Sequence, residues 1–284
     1  MKPNQRAVEA LVRAALLEDA PWGDLTSETV VPEDSRIRAE LVAREGGVLC
    51  GEDVFSSAMS LSGSVATRFL KNDGQRFSAG DIIATVDGPA RSILRAERVA
   101  LNFVQHLSGI ATLTANYVAE TAGTKARIVD TRKTTPGLRL LERYAVRCGG
   151  GHNHRFSLSD AVLIKDNHIA ALAASDGRDL TTKLRTALAG LPHTTHVEVE
   201  VDRLDQIEPV LAAGAHTIML DNFSLDDLRT GVQLIAGRAL VEASGGVSLD
   251  QVRTIAATGV DIISVGALTH SVRSLDLGLD VTSS

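Results

Sequence analysis

From about residue 115 onward, this 284-residue chain alternates short apolar runs with helix-like stretches. The runs fall at 126–129, 161–164, 197–201, 217–220, 239–241 and 261–265, and the helical stretches at 180–191, 204–213, 225–235 and 249–257. Repeated strand-then-helix order brings each strand back parallel to the one before, so the pattern predicts a parallel sheet covered by helices. Ser224 and Ser248, each followed by Leu-Asp, suit the helix N-cap, where a side-chain oxygen accepts from a free backbone N–H.

The polar residues narrow this further. Every run leads into charge, hydroxyl or glycine: Asp130-Thr131-Arg132-Lys133, Lys165-Asp166, Glu200, Asp221-Asn222, Glu242 with Ser244-Gly245-Gly246, and Gly266 with His270. Parallel α/β barrels carry their chemistry on the rim formed by the strand C-termini. Six runs are fewer than the eight of a full barrel, so either two strands escape detection or the barrel is incomplete. An open doubly wound sheet fits second best.

The first third has another texture. Residues 1–21 form an amphipathic helix pattern broken by Arg6, Glu9, Arg13, Glu18 and Asp19. Ile37, Ala39, Leu41 and Ala43 alternate with polar neighbours as in a half-buried strand ending at Gly46-Gly47. Apolar runs at 65–70 and 82–86 follow. Residues 92–117 then carry Leu94, Val99, Leu101, Val104, Leu107 and Ile110 at mainly helical spacing, with Gly109 as a potential break. This is an α+β sandwich with an antiparallel sheet. The expected division is 1–114 for that sandwich, 115–270 for the barrel, and a C-terminal segment, 271–284, packing back on the first domain.

Composition removes several functional classes. Residues 127–168 hold eight Lys/Arg against four Asp/Glu, in a chain whose net charge is -6. A local cationic cluster in an acidic chain points to a small, multiply negative ligand rather than nucleic acid, which is usually met by a basic domain. Aromatics at 3% leave little to stack on bases. Cys50 and Cys148 show no CxxC or Cys/His ligand spacing, which predicts reduced thiols and no structural zinc. The N-terminus lacks the apolar stretch of a signal peptide and no run reaches the roughly 18 apolar residues of a membrane span, so a cytoplasmic, membrane-free protein is expected. Asn222-Phe223-Ser224 matches a glycosylation sequon, a three-residue coincidence in such a chain.

Each motif has a bland reading beside the sharp one. Arg132 and Lys133 follow a buried-looking strand, and Arg155 follows Gly149-Gly150-Gly151-His152-Asn153-His154. A guanidinium holds a carboxylate or phosphate through two charge-assisted hydrogen bonds, each contributing roughly 1.5–3 kcal/mol. Plain surface solubility is the alternative, and it is the reading given to Arg139, Arg143 and Arg147. Lys165 would bind an anion or form a Schiff base; otherwise it pairs with Asp166 or Asp160. Glu198 and Glu200 alternate with valines, so both lie on one strand face and, if the valines pack outward, both point into the barrel. Buried acids need a partner: the basic cluster, or, with Asp221, a magnesium ion that prefers oxygen ligands. Structural salt bridges are the bland reading there, and a simple glycine turn is the bland reading of the phosphate-cradle pattern at Ser244-Gly245-Gly246.

Taken together these residues resemble the quinolinate phosphoribosyltransferase family. The resemblance runs from Gly23-Asp24-Leu25-Thr26 through Glu97-Arg98-Val99-Ala100-Leu101-Asn102, Asp130-Thr131-Arg132-Lys133-Thr134-Thr135-Pro136-Gly137 and the Gly149–Arg155 segment. It continues with Leu163-Ile164-Lys165-Asp166-Asn167-His168, Glu198-Val199-Glu200, Leu220-Asp221-Asn222, Ala243-Ser244-Gly245-Gly246 and Ser264–His270. It implies an N-terminal sandwich followed by an incomplete parallel α/β barrel, in a homodimer whose active sites straddle the interface. Arg132, His154, Arg155 and Lys165 would bind quinolinate, with Arg98 closing the pocket from the partner. Lys133, Glu200, Asp221, Ser244, Gly245, Gly246, Gly266 and His270 would bind phosphoribosyl pyrophosphate. Glu200 and Asp221 would hold Mg2+, and Lys133, Lys165, Glu200 and Asp221 would be the catalytic set. The implied reaction is Mg-dependent phosphoribosyl transfer to quinolinate with decarboxylation, in de novo NAD biosynthesis. The alternatives are a same-fold paralogue with another substrate, against which Arg98, Arg132 and Arg155 argue, and a Schiff-base lyase using Lys165.

Overall fold

The structure, a computed structural model, describes residues 2–173 and 179–282. The chain forms two compact units that interleave along the sequence. The first takes in residues 1–115, 134–150 and 268–284; the second takes in 116–133 and 151–267.

In the first unit, α1 (Gln5–Asp19) starts at Asn4, whose side chain accepts from Arg6 N, and buries Val8 and Val12. Then come α2 (Leu25–Val30), β1 (Arg36–Ala43), β2 (Gly47–Val48), α3 (Glu52–Ser62), β3 (Ala66–Phe69), β4 (Arg76–Phe77), β5 (Ile82–Pro89), α4 (Ala90–Glu120) and α5 (Arg139–Cys148). β1 is antiparallel to β5, and β5 to β3. The alternation foreseen for residues 37–43 is present, with Ala39, Leu41 and Ala43 buried. α1 packs on α3, and Phe55 of α3 meets Phe69 of β3 edge to face at 5.8 Å.

α4 carries Ile93, Ala96, Ala100, Val104, Leu107 and Ala111 at three- and four-residue spacing, all fully buried, which gives one continuous apolar stripe. Contrary to the sequence reading, Gly109 does not break it. A Cβ at Gly109 would lie 2.2 Å from the Arg273 carbonyl oxygen, so the glycine is there to let another backbone segment approach. That segment is tied to the same helix by Leu275 N donating to Gln105 O and by Gln105 Nε2 donating to Leu277 O.

In the second unit the six expected strands are β6 (Arg127–Val129), β7 (Val162–Ile164), β8 (Val197–Val201), β9 (Thr217–Asp221), β10 (Leu240–Ser244) and β11 (Ile262–Ser264). Between them lie α6 (Asp166–Ala173), α7 (Leu180–Leu188), α8 (Ile207–Ala213), α9 (Leu225–Ile235) and α10 (Leu249–Ala256). Ser224 caps α9 by accepting from Asp227 N at 3.1 Å. The strand order is β6-β11-β10-β9-β8-β7, parallel at every pairing. From β7 to β11 strands consecutive in the chain are neighbours, and the last, β11, returns to the first, β6. The ring therefore stays open only between β6 and β7: this is the incomplete parallel barrel. After it come α11 (Ala267–His270) and β12 (Leu277–Thr282), and β12 extends the first unit's sheet antiparallel to β1.

Gly109→Ala separates two opposing effects. Helix propensity alone would stabilise α4 by about 1 kcal/mol, whereas forcing a methyl group into the Arg273 backbone costs about 1–3 kcal/mol. Crowding is expected to win, lowering the urea midpoint; a raised midpoint would show that the Arg273 segment gives way.

Candidate active site

The strand period of two decides which side chains meet. On β8, β9, β10 and β11, Val197, Val199, Val201, Ile218, Leu220, Val241, Ala243 and Ile263 are buried on one face. On the other face lie Glu198 and Glu200, Met219 and Asp221, Glu242 and Ser244, and Ser264. Leu163 and Lys165 continue the pattern at the end of β7.

A cavity of about 550 Å³ opens over that second face. Its wall includes Arg132, Lys133, His154, Arg155, Lys165, Glu200, Asp221, Ser244, Gly245 and Gly246, with Thr131, Leu163, Met219, Asn222, Glu242 and Ser264 between them. Of the barrel residues assigned to the expected site, Gly266 alone is absent from this wall; Glu198, expected on the same strand face as Glu200, is absent too. Arg98 and His270 belong to the first unit. Arg98 is exposed on α4, and His270 is exposed with its Nδ1 2.6 Å from Ser271 Oγ.

Cations and acids are grouped within the cavity. Lys165 is ion-paired with Glu200 rather than with Asp166 or Asp160. Arg155 donates through Nη1 to Ala161 O at 2.9 Å, while its Nε is a buried donor with no partner among the described residues. Burial first, and then the Arg132 guanidinium, push Arg155 below its usual range. Two like charges beside an unsatisfied donor favour an anion between them.

On the opposite wall, Asn222 holds a left-handed backbone (φ 58). It donates from N to Ser244 O at 3.0 Å and from Nδ2 to Asp221 Oδ2 at 2.7 Å. Gly245 (φ 100) packs directly on it; a Cβ there would lie 2.2 Å from Asn222 Oδ1. The turn after β10 is thus locked to the turn after β9, which aims the Asp221 carboxylate and the Gly245-Gly246 backbone at one space.

Two of the wall residues, His154 and Glu242, form a buried cluster with Glu198, and neither acid belonged to the expected site set. His154 Nε2 is 3.0 Å from Glu198 Oε2 and 3.7 Å from Glu242 Oε1. With both acids ionised, Glu198 Oε1 and Glu242 Oε1 would be buried acceptors without a donor. A proton held between the two carboxyls removes that conflict. Burial, reinforced by Glu198, accordingly pushes Glu242 up to about 8. For His154, burial opposes charge, but the hydrogen bond to Glu198 and the fields of Glu242 and Asp130 outweigh it and raise the imidazole. The Arg155 N–H directed at Nδ1 (2.7 Å) orients the ring so that Nε2 faces Glu198. Asp130, fully buried at the end of β6, accepts from His154 N at 2.8 Å and from the Asn153 side chain. His152 also bridges to Val129, so this segment lies along the free edge of β6.

Glu242 had a signal, a single charge between the apolar residues of Leu-Val-Glu-Ala; Glu198 shares the Glu200 face. Arg143 corrects the surface reading, since it is 7% exposed. Arg139 and Thr134 meet side chain to side chain at 3.0 Å.

A two-unit α/β protein with a cation-lined cavity on the C-terminal rim of a six-strand parallel barrel is the class that fold and site define. The family model for the quinolinate phosphoribosyl transferase N-terminal domain matches residues 24–108, and that for its C-terminal domain matches 110–280. The chain is 43% identical over 282 residues to the probable nicotinate-nucleotide pyrophosphorylase [carboxylating] of Bacillus subtilis, covering 99% of this chain and 96% of that protein. It is 45% identical to the Mycobacterium leprae nicotinate-nucleotide pyrophosphorylase [carboxylating], covering 97% of each. The crystal structure of NadC from Streptococcus pyogenes superposes with a TM-score of 0.93 at 40% identity, covering 100% of both chains. The chain belongs to the quinolinate phosphoribosyltransferase family.

The buried acid pair gives stability a pH dependence of known sign. Between the ordinary carboxylate range and about 8, the folded protein keeps a proton on Glu242 that the unfolded chain releases, so stability falls as pH rises through that window. His154, also raised, acts in the same direction: its contribution is complete below the ordinary imidazole value and is lost above it. The slope is at most about 1.4 kcal/mol per pH unit for each proton. Melting temperature is expected to drop from pH 6 to 8.5, and Glu242→Gln to flatten the drop. An unchanged slope in that variant would remove Glu242 as its source. Gly245→Ala, strained in backbone and blocked by Asn222, is expected to cost about 1–3 kcal/mol in urea denaturation.

Proposed function

We propose that this chain transfers the phosphoribosyl group of phosphoribosyl pyrophosphate to the ring nitrogen of quinolinate. Carbon dioxide is lost, leaving nicotinate mononucleotide and pyrophosphate, a step of de novo NAD biosynthesis. The observation that carries the reading is the cavity wall. Arg132, Lys133, Arg155 with its unsatisfied Nε, and Lys165 face one space with Glu200, Asp221 and the Gly245-Gly246 turn. Family membership supplies the substrate class: the Bacillus and Mycobacterium relatives are named for this pyrophosphorylase reaction.

In this reading Arg132, His154, Arg155 and Lys165 bind the two quinolinate carboxylates. Lys133 and Lys165 balance the phosphate charge, and Ser244, Gly245, Gly246 and Gly266 offer hydrogen-bond donors to the 5′-phosphate. Glu200 and Asp221 suit magnesium, since both present carboxylate oxygens, and a second cavity of about 530 Å³ continues past them to Asp166 and Asp202. Bound there, the ion would supply charge neutralisation for the departing pyrophosphate. In this reading the Glu200 carboxylate stabilises positive charge developing at the ribose carbon before the pyridine nitrogen attacks. The cationic ring then accepts the electrons left when the 2-carboxylate departs. The Lys165–Glu200 ion pair engages the amine that a Schiff-base lyase would need free.

We further read the active form as a cytoplasmic homodimer, with Arg98 of a second subunit completing the quinolinate site. Among the described residues no helix is long and apolar enough to cross a membrane.

Carbon dioxide release from carboxyl-labelled quinolinate tests the reaction, with phosphoribosyl pyrophosphate and magnesium each withheld in turn and nicotinate as control substrate. Release is expected only with all components present; none from folded protein would point to a same-fold paralogue with another substrate. Arg132→Ala is expected to raise the quinolinate KM at least about tenfold, equivalent to about 1.4 kcal/mol of binding, with little change in melting temperature. Wild-type KM in that folded variant would take Arg132 out of the pocket.

A further inference from the structure

The chain has only two cysteines, 98 positions apart in sequence (148 − 50), and the first unit brings them together. The sulfurs of Cys50 and Cys148 and a carboxylate oxygen of Asp73 all lie within 4.8 Å of one another. Both cysteines are free thiols. Their linear spacing carries no hint of the meeting, which α5 creates by ending at Cys148 beside the segment that follows β2.

The surroundings distinguish two uses of such a cluster. As a metal site it is poor. Asp73 Oδ1 already accepts from Gly51 N (2.8 Å) and Glu52 N (3.1 Å), and Oδ2 accepts from Tyr144 Oη (3.0 Å). A metal would have to displace these bonds, and the described residues offer two sulfurs and no further group within reach. As a dithiol pair it is well arranged, because the two sulfurs differ. Cys50 is fully buried, and Ser108 holds its backbone through Cys50 N donating to Oγ (3.0 Å) and Oγ donating to Cys50 O (3.2 Å). Cys148 is half-buried at a helix end, so an oxidant can reach it. Burial, and then contact with Cys148, push the Cys50 thiol well up, so it stays protonated until its partner is activated.

We propose that Cys50 and Cys148 form a reversible redox pair, in which Cys148 reacts first with a hydroperoxide and Cys50 then closes an intrachain disulfide. In the first step the Cys148 thiolate attacks the O–O bond of the peroxide. One oxygen is transferred to sulfur as sulfenic acid, and the other leaves, with a proton from solvent, as alcohol or water. In the second step the Cys50 sulfur attacks the sulfenic sulfur, the S–O bond breaks, and the Cys50 proton passes by way of Asp73 to the departing hydroxide, which leaves as water. The two thiols lose two electrons and the peroxide gains them; a small dithiol reverses the change. The crosslink would join the C-terminus of α5 to the start of α3, directly before Gly149-Gly150-Gly151.

The test uses the full-length protein and no activity readout, so it stands apart from the assigned reaction. Folded protein is treated with a slight molar excess of hydrogen peroxide, quenched by alkylation and digested without reductant. A Cys50–Cys148 linked peptide is expected, with both thiols lost together and both restored by dithiothreitol. It should form at least ten times faster than in the same chain unfolded in urea. In Cys50→Ser, Cys148 should stop as a sulfenic acid that dimedone traps. Linkage no faster in folded than in unfolded protein, crosslinks only between chains, or Cys148 carried to sulfinic acid while Cys50 remains a thiol would each overturn the proposal. Should Cys50→Ser fail to fold, the folded-to-unfolded rate ratio of the unaltered chain still decides it.

Discussion

Parallel hydrogen bonding around six strands is the constraint on which the rest depends. It sends every strand C-terminus to one rim, so residues far apart in sequence (Lys165, Glu200, Asp221, Ser244) meet without any long-range signal of their own. The period of two then divides each strand. Valine, isoleucine and leucine go under the helices, and what remains must be filled with polar groups or left open. In this protein it is both: a cavity, and an acid–imidazole cluster that reaches its wall through His154 and Glu242 while Glu198 stays buried.

That cluster carries a cost and a use. Two carboxyls and an imidazole removed from water are tolerated only because protons and hydrogen bonds are distributed among them, with Glu242 taking the proton. In return, His154 is held from both ring nitrogens and its backbone N–H is fixed by Asp130. Arg155, its chain neighbour, inherits that placement. The guanidinium that faces the ligand space is therefore positioned by the buried groups that hold its neighbour.

The sequence was informative wherever periodicity or a strand end was involved. The six barrel strands, the α9 cap at Ser224 and the convergence of Arg132, Arg155, Lys165, Glu200 and Asp221 were legible, because each depends on local pattern plus one topological rule. What escaped depended on distant packing. Gly109 reads as a helix breaker until the Arg273 carbonyl is seen against it. Arg143 reads as solvent-facing because burial on α5 is set by other elements. Glu198 reads as a buried acid awaiting a cation and Glu242 as a polar residue near a strand end, whereas burial and their proximity to each other keep Glu242 protonated. The Cys50–Cys148 meeting has no sequence signature whatever.

The gap between β6 and β7 gives the barrel a seam. Two edges that a closed ring would pair are bridged instead by the chain from His152 to Ala161, through the His152–Val129 bridge on one side and Arg155 to the Ala161 carbonyl on the other. Openings of native proteins begin where the fewest backbone bonds hold, so this seam is the natural hinge line for partial unzipping. An anion gripped by Arg155 would act as a suture across it. Amide protons of β6 and β7 would then exchange more slowly when the cavity is filled, and occupancy of the site would govern the lifetime of the ring.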